Sequence, residues 1–190
     1  MEEWLYYLNQ LLPMPPELTV SLMGAMRKDV YRKNKTILSS GHPCDWIGYV
    51  EKGLIKASIE PPDMGDRVFQ YYPAGHILFI VNSFVHNQPS RISLMAVEES
   101  VIRKINRVEI NALCEKYPVF YYHLYRMIDH QYTMLADHFM LYILSPRERF
   151  ARFYKEQNWF LQYPEMKDYM IADYLGMDRA TFSRYRHGKS

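Results

Sequence analysis

Ile171-Ala172-Asp173-Tyr174-Leu175-Gly176-Met177-Asp178-Arg179-Ala180-Thr181-Phe182-Ser183-Arg184-Tyr185-Arg186 reads as two short helices joined by a tight turn. Ile171 and Leu175 lie four apart on one helical face, and Ala172 is small enough for a second helix to cross closely. Gly176 suits the left-handed backbone that ends the first helix. Asp178 is a good N-cap for the second, with Met177 and Phe182 at the positions of a hydrophobic staple. Phe182 and Tyr185 then point back at the first helix, which leaves Arg179, Ala180, Ser183 and Arg184 outside. That outer face suits a DNA major groove, where an arginine can grip guanine in a fork and small neighbours allow close approach.

Composition sets the frame around this stretch. A chain of 190 residues can hold one large or two small domains with real cores. Its formal net charge of +2 does not by itself argue for nucleic acid. The distribution says more, because Arg179, Arg184, Arg186 and Lys189 face a single acid, Asp178, after Gly176. Cys44 and Cys114 are too few for a disulfide framework, a zinc finger or a four-cysteine cluster, so a reduced cytoplasmic protein is expected. Met1-Glu2-Glu3 is acidic where a signal peptide is basic, and no apolar run approaches membrane-spanning length.

Ahead of the helix pair the texture changes twice. Trp4 to Leu12 is helical in pattern until Pro13, Pro15 and Pro16, and Glu17 to Met26 can form a second short helix. From Asp29, short β-branched and aromatic segments alternate with Gly, Pro and Asn. Strands are expected at 30–31, 36–38, 46–50, 54–59, 68–72, 77–81, 92–96 and 101–105, and their regular spacing suggests an antiparallel barrel or jelly roll. Asn106 with Glu109 then resembles a capping box, and Ser145-Pro146-Arg147-Glu148 repeats that signal with a first-turn proline. Between them one helix is expected from Pro118 to Leu144, roughly 40 Å long. Phe120, Met127, Met134 and Leu141 recur along it every seven residues, beside a stripe of Leu124, Ile128 and Leu135. So wide an apolar arc implies two packing surfaces, one on the barrel and one on a second copy of the chain. The alternative is a single long core helix in a monomer.

At Tyr49-Val50-Glu51-Lys52-Gly53-Leu54-Ile55-Lys56 a glycine turns between two strands. With Gly41, Pro73-Ala74-Gly75 and Ala96-Val97-Glu98-Glu99-Ser100, this hairpin is similar in spacing to the cyclic-AMP receptor protein family, the Crp/Fnr-type transcription regulators. The similarity covers nearly the full chain. It implies an α+β fold: an antiparallel jelly-roll sensor of the cyclic-nucleotide-binding kind with its N-terminal helices (1–117), a dimerisation helix (118–144) and a helix-turn-helix domain (145–190). It also implies a dimeric, non-enzymatic regulator whose partners are double-stranded DNA, a small-molecule effector, RNA polymerase and a second copy of the chain. The other class kept open is a ligand-binding or protein-interaction module with a vestigial helix-turn-helix.

Two departures from the family qualify that reading. Members that bind cyclic nucleotides carry a Gly-Glu pair for the ribose and an Arg-Ser or Arg-Thr pair for the phosphate. Aligned from Gly75, those positions hold Phe79 and Ile80, then Ser90 and Arg91. The ribose acceptor is missing, and Arg91 is one place out of register, which on a strand is the opposite face. An anionic ligand on Arg91 would need a bulge between Asn87 and Ser90; otherwise Arg91 is a solvated surface residue and the pocket suits an apolar ligand or none.

On the recognition helix the family's Arg, Glu and later Arg become Arg179, Ala180 and Arg184. Loss of the glutamate changes the expected half-site, while Thr181, Ser183, Arg186 and His187 suit phosphates. Only His187 to Ser190 follow, too few for the usual β-hairpin wing. No metal or cofactor is expected, because His76, His86, His123, His130 and His138 lack close ligand spacing. Catalytic triads and phosphate-cradling glycine loops are also missing, and no enzyme activity is expected.

Overall fold

The computed structural model describes residues 3–60, 66–156, 163 and 166–188. Lys189, one of the basic residues counted after Gly176, lies outside these residues. Two helices, α1 (Glu3–Leu11) and α2 (Pro16–Ala25), precede strands β1 (Arg27–Tyr31), β2 (Thr36–Leu38), β3 (Trp46–Lys52), β4 (Leu54–Ile59), β5 (Arg67–Pro73) and β6 (Ile77–Leu78). A short helix α3 (Val81–His86), β7 (Ser93–Ala96) and β8 (Ser100–Asn106) complete the barrel. Helices α4 (Arg107–Lys116), α5 (Phe120–Tyr142), α6 (Pro146–Glu156), α7 (Asp168–Tyr174) and α8 (Arg179–Arg186) follow.

The strands form two four-stranded antiparallel sheets, ordered β1-β8-β3-β6 and β2-β7-β4-β5. Their facing side chains, including Val50, Ile55, Ala57, Leu94 and Ile102, are buried in one core. β3 is buried from Ile47 to Val50, because α1 and α5 cover the outside of its sheet: Ile47 and Tyr49 meet Trp4, Leu8, Phe120 and Met127. Gly53 at the β3–β4 turn has φ +95°, and a Cβ there would lie 2.8 Å from the backbone of Ser100. Only glycine fits that turn without displacing the chain.

A second core joins the helical C-terminal region to the barrel. Phe153, Met170, Ile171, Tyr174, Leu175 and Phe182 pack with Leu141 of α5 and with Leu54 and Tyr71 of the barrel. Burial of these groups holds the helix-turn-helix against the β4–β5 side of the sheet.

The structure differs from the sequence reading in three places. The strand expected at 77–81 pairs with β3 only at Ile77 and Leu78, after which the chain turns into α3. Ser83 explains the turn: its Oγ accepts from Cys44 N at 2.8 Å and donates to Gln88 O at 2.5 Å. Those tertiary bonds override the β-branched composition. The long helix begins at Phe120, because Pro118 and Val119 form a tight turn in which Phe120 N donates to Tyr117 O at 2.8 Å. Its 23 residues span about 35 Å. Finally, Phe120, Met127 and Leu141 are 1–3% exposed within their own chain. The heptad they define belongs to internal packing, and they are withdrawn from the dimer set.

Candidate effector chamber and DNA-reading helix

The helix-turn-helix is built by local chemistry. Met177 N donates to Ala172 O at 2.9 Å and Gly176 N to Asp173 O at 3.0 Å, the paired bonds of a Schellman turn. Gly176 has φ +59°, and a Cβ there would meet the Tyr142 ring at 2.8 Å. Asp178 Oδ1 accepts from Thr181 N at 2.8 Å, and hydrogen bonds to Thr181 hold its carboxyl below the usual carboxylate range. Met177 and Phe182 are both buried, as a staple requires. Phe182 and Tyr185 also pack on Phe150 of α6, with ring centroids 5.5 and 5.7 Å away.

On the outer face Arg179, Ala180, Ser183 and Arg184 are exposed, and Thr181 is half-buried. Arg179 lies over the Tyr169 ring, 5.2 Å from its centroid, and Arg184 Nη2 donates to Thr181 Oγ1 at 3.0 Å. Arg186 behaves differently. Its Nη1 is paired with Asp168 and donates to Tyr154 Oη at 3.2 Å, so its head ties α8 to α6 and α7. Arg186, expected to contact phosphate, is thus engaged through Nη1 by two groups of its own chain.

Between the barrel and α5 lies a half-open chamber of about 640 Å³. Gln70 and Tyr72 line it from β5, Phe79 and Ile80 from the β6–α3 link, Val85 from α3, and Ile128, Gln131 and His138 from α5. Tyr72 is buried, which pushes its phenol well above the ordinary value, so it is a neutral donor. Its Oη donates to Gln131 Oε1 at 3.1 Å, and Gln131 Nε2 donates to Ile77 O at 2.8 Å.

Of the sequence-derived pocket residues, Phe79 and Ile80 line this chamber and Ser90 and Arg91 do not. Ser90 is consumed by its own turn, with Oγ donating to Ile92 O at 2.7 Å and accepting from Ile92 N at 2.9 Å. Arg91 is exposed on the adjoining bend. The register offset read from the sequence is therefore not undone by a bulge that would turn Arg91 inward.

Helix α5 carries a further feature that the sequence reading missed. Tyr121, Tyr125, Ile128, Tyr132, Leu135, Phe139 and Tyr142 follow one another at alternating spacings of four and three. All but half-buried Ile128 are more than 40% exposed. Of the expected dimer residues, Ile128 and Leu135 belong to this seam and, with Met134, line the chamber, while Leu124 packs partly on the barrel core. The signal was present as a 4-3 spacing of aromatics, hidden because tyrosine reads as half polar.

Among the described residues no three His, Cys, Asp or Glu side chains gather to hold a metal ion. Nor is any helix among them long and apolar enough to cross a membrane.

Residues 28–117 match the sequence profile of the cyclic nucleotide-binding domain. This segment belongs to that family. Around the cyclic nucleotide-binding domain the chain shares its fold with FixK2 from Bradyrhizobium japonicum, at TM-score 0.74 and 20% identity over 86% of this chain and 83% of that one. It also resembles CLP, the c-di-GMP-responsive global regulator of Xanthomonas campestris, at TM-score 0.70 and 14% identity over 92% and 91%. The catabolite activator protein of Thermus thermophilus follows at TM-score 0.59 and 19% identity over 94% and 84%. No curated protein matches the chain in sequence. The order of cyclic nucleotide-binding domain, long helix and C-terminal helices is thus that of the CRP-like fold.

Proposed function

We propose that the chain is a dimeric DNA-binding transcription regulator of Crp/Fnr type, whose barrel senses an effector. The observation that carries this reading is the bare outer face of α8. Arg179, Ala180, Ser183 and Arg184 are exposed among the described residues, while Phe182 behind them is 2% exposed. A helix pinned from behind by a Schellman turn, a cap and a staple presents that face rigidly, which a groove reader needs.

The seam on α5 supplies the second requirement. Paired with itself across a two-fold axis, a 4-3 stripe from Tyr121 to Tyr142 buries aromatic surface that a monomer leaves in water. Two recognition helices would then face half-sites one DNA turn apart, ~34 Å. The fold neighbours, which include a global regulator and a catabolite activator, agree with this reading. It assigns no catalytic step to any residue.

Selection of bound sequences from a random DNA pool, followed by a salt titration on the selected site, tests the proposal. A regulator enriches a two-fold symmetric site and binds it more tightly as salt falls. Absence of binding at low salt would instead favour a ligand-binding module with a vestigial helix-turn-helix.

A further inference from the structure

We infer that the chamber between β5, α3 and α5 takes a neutral, mainly apolar ligand carrying one or two hydrogen-bonding groups, and that its occupancy reaches the helix-turn-helix through the contact of His138 with Tyr174. This rests on the proposed function only in treating the barrel as a sensor.

Size and chemistry define the ligand class. A volume of about 640 Å³ lies in the range of small-molecule sites. Most of the lining is apolar or aromatic, and among the described residues it includes no lysine or arginine. Its ionisable members are Asp129 and His86, both exposed, and His138, which is committed to Tyr174 O. A cyclic nucleotide would bring a phosphate anion into this setting with no lysine or arginine to meet it and a carboxylate nearby. Neutral groups fare better, because buried Gln131 commits one Nε2 hydrogen to Ile77 O and keeps a second to donate. Four residues of the α5 seam, Tyr125, Ile128, Tyr132 and Leu135, also line the chamber, so a partner helix lying on that seam would form part of its wall.

The floor of the same chamber holds the helix-turn-helix. His138 is 5% exposed, and its Nε2 donates to Tyr174 O at 2.8 Å. The two rings are stacked, with centroids 4.0 Å apart and planes within 12°. Gln70, which also lines the chamber, is hydrogen-bonded to the Tyr174 side chain. Tyr174 is the last residue of α7, two before the Gly176 turn. Two chamber residues on different elements therefore grip one residue of the DNA-reading unit. A ligand that pushes on or orders either of them changes the free energy of holding α7 in place.

The test uses the full chain and the neutral fluorophore N-phenyl-1-naphthylamine. Fluorescence titration is expected to show binding that excess cyclic AMP does not displace. Val85→Trp, at a half-exposed wall position that tolerates bulk, should weaken the probe about tenfold, with Val85→Ala close to wild type. Hydrogen exchange of the amides from 168 to 186 should slow when the probe binds. His138→Phe, which keeps a ring on Tyr174 and removes the N–H donor, should still bind the probe but lose that protection.

Displacement by cyclic AMP, or binding indifferent to Val85→Trp, would overturn the ligand class. Probe binding with unchanged exchange in the wild type, or full protection in His138→Phe, would overturn the relay. None of these measurements involves DNA, so failure of the regulator reading is recorded separately by the DNA selection.

Discussion

Arg149 Nη1 donates to Leu175 O at 2.5 Å while its Nε donates to Leu141 O at 3.1 Å, so one guanidinium ties the end of α5 to the end of α7. Nη2 adds Tyr142 O at 3.2 Å and Leu144 O at 3.1 Å, and the whole group lies over the Tyr142 ring. The last carbonyls of a helix have no partner inside it, and here a cation placed at the negative end of α5 satisfies them. Arg149→Met removes these donors from Leu175 O, Tyr142 O and Leu144 O and leaves Leu141 O with its backbone donors alone. A loss of about 3 kcal/mol is expected, read as a lower denaturation midpoint. Arg149→Lys should recover little, because one ammonium cannot reach carbonyls on both helices. A near-neutral Arg149→Met would contradict the capping role.

The exposed seam on α5 predicts the oligomeric state. Tyr132 is 69% exposed and Leu135 44% exposed, at the mouth of the chamber. Tyr132→Glu would place like charges across the two-fold axis of a paired helix. Dimer dissociation is expected to rise by about a hundredfold, or ~3 kcal/mol, in sedimentation equilibrium. Met127→Ala should act on stability instead, by about 2–4 kcal/mol, because Met127 is buried in its own barrel core.

Local signals were the ones the sequence displayed in the open. Asn106 and Glu109 exchange bonds at 2.9 and 3.3 Å, and Ser145 and Glu148 do the same, because capping boxes are chemistry between residues three apart. Strand positions were legible for a similar reason, since glycine and proline punctuate them. What stayed hidden was which face of an element meets which neighbour. The α3 helix depends on Ser83 reaching Cys44, 39 residues away in sequence. The chamber gathers Gln70, Gln131 and His138 from two distant elements, and no local spacing encodes such a meeting. The partners of Arg186, Tyr154 and Asp168, were hidden for the same reason, since they lie 32 and 18 residues back.

Stability should fall on mild acidification. Burial pushes the imidazoles of His76 and His130 below their ordinary value, and the nearness of His130 adds to the effect on His76. Above about pH 6.5 both are neutral folded or unfolded, and neither contributes to pH dependence. Below it the unfolded chain takes up protons first, so stability is lost as pH drops toward the depressed folded values. Glu51 adds a separate and more acidic window. Hydrogen bonds from Lys28 and Arg103 lower its pKa, so the stability it contributes is lost as pH falls through its folded value. Denaturant midpoints should decline between about pH 7 and pH 5, and His76→Gln should flatten that decline. An unchanged slope in His76→Gln would remove this residue from the account.

Arg184 and Arg186 lie two apart on α8, and the structure predicts opposite phenotypes for them. Arg184 is exposed, and its only hydrogen-bonding contact among the described residues is with Thr181 of its own helix, a contact easily traded for a base edge. Arg184→Ala is expected to weaken specific DNA binding by about 1–3 kcal/mol and to relax sequence preference at one position of each half-site. Arg186 is already engaged by Asp168 and Tyr154 on the protein side. Its pair with Asp168 is largely exposed, so Arg186→Ala should cost stability by no more than about 1 kcal/mol. The salt slope of DNA binding should change little, since a cation held by its own carboxylate releases few counterions from DNA. Measured side by side on one selected site, a steeper loss of salt dependence in Arg186→Ala than in Arg184→Ala would return Arg186 to the phosphate-contacting set.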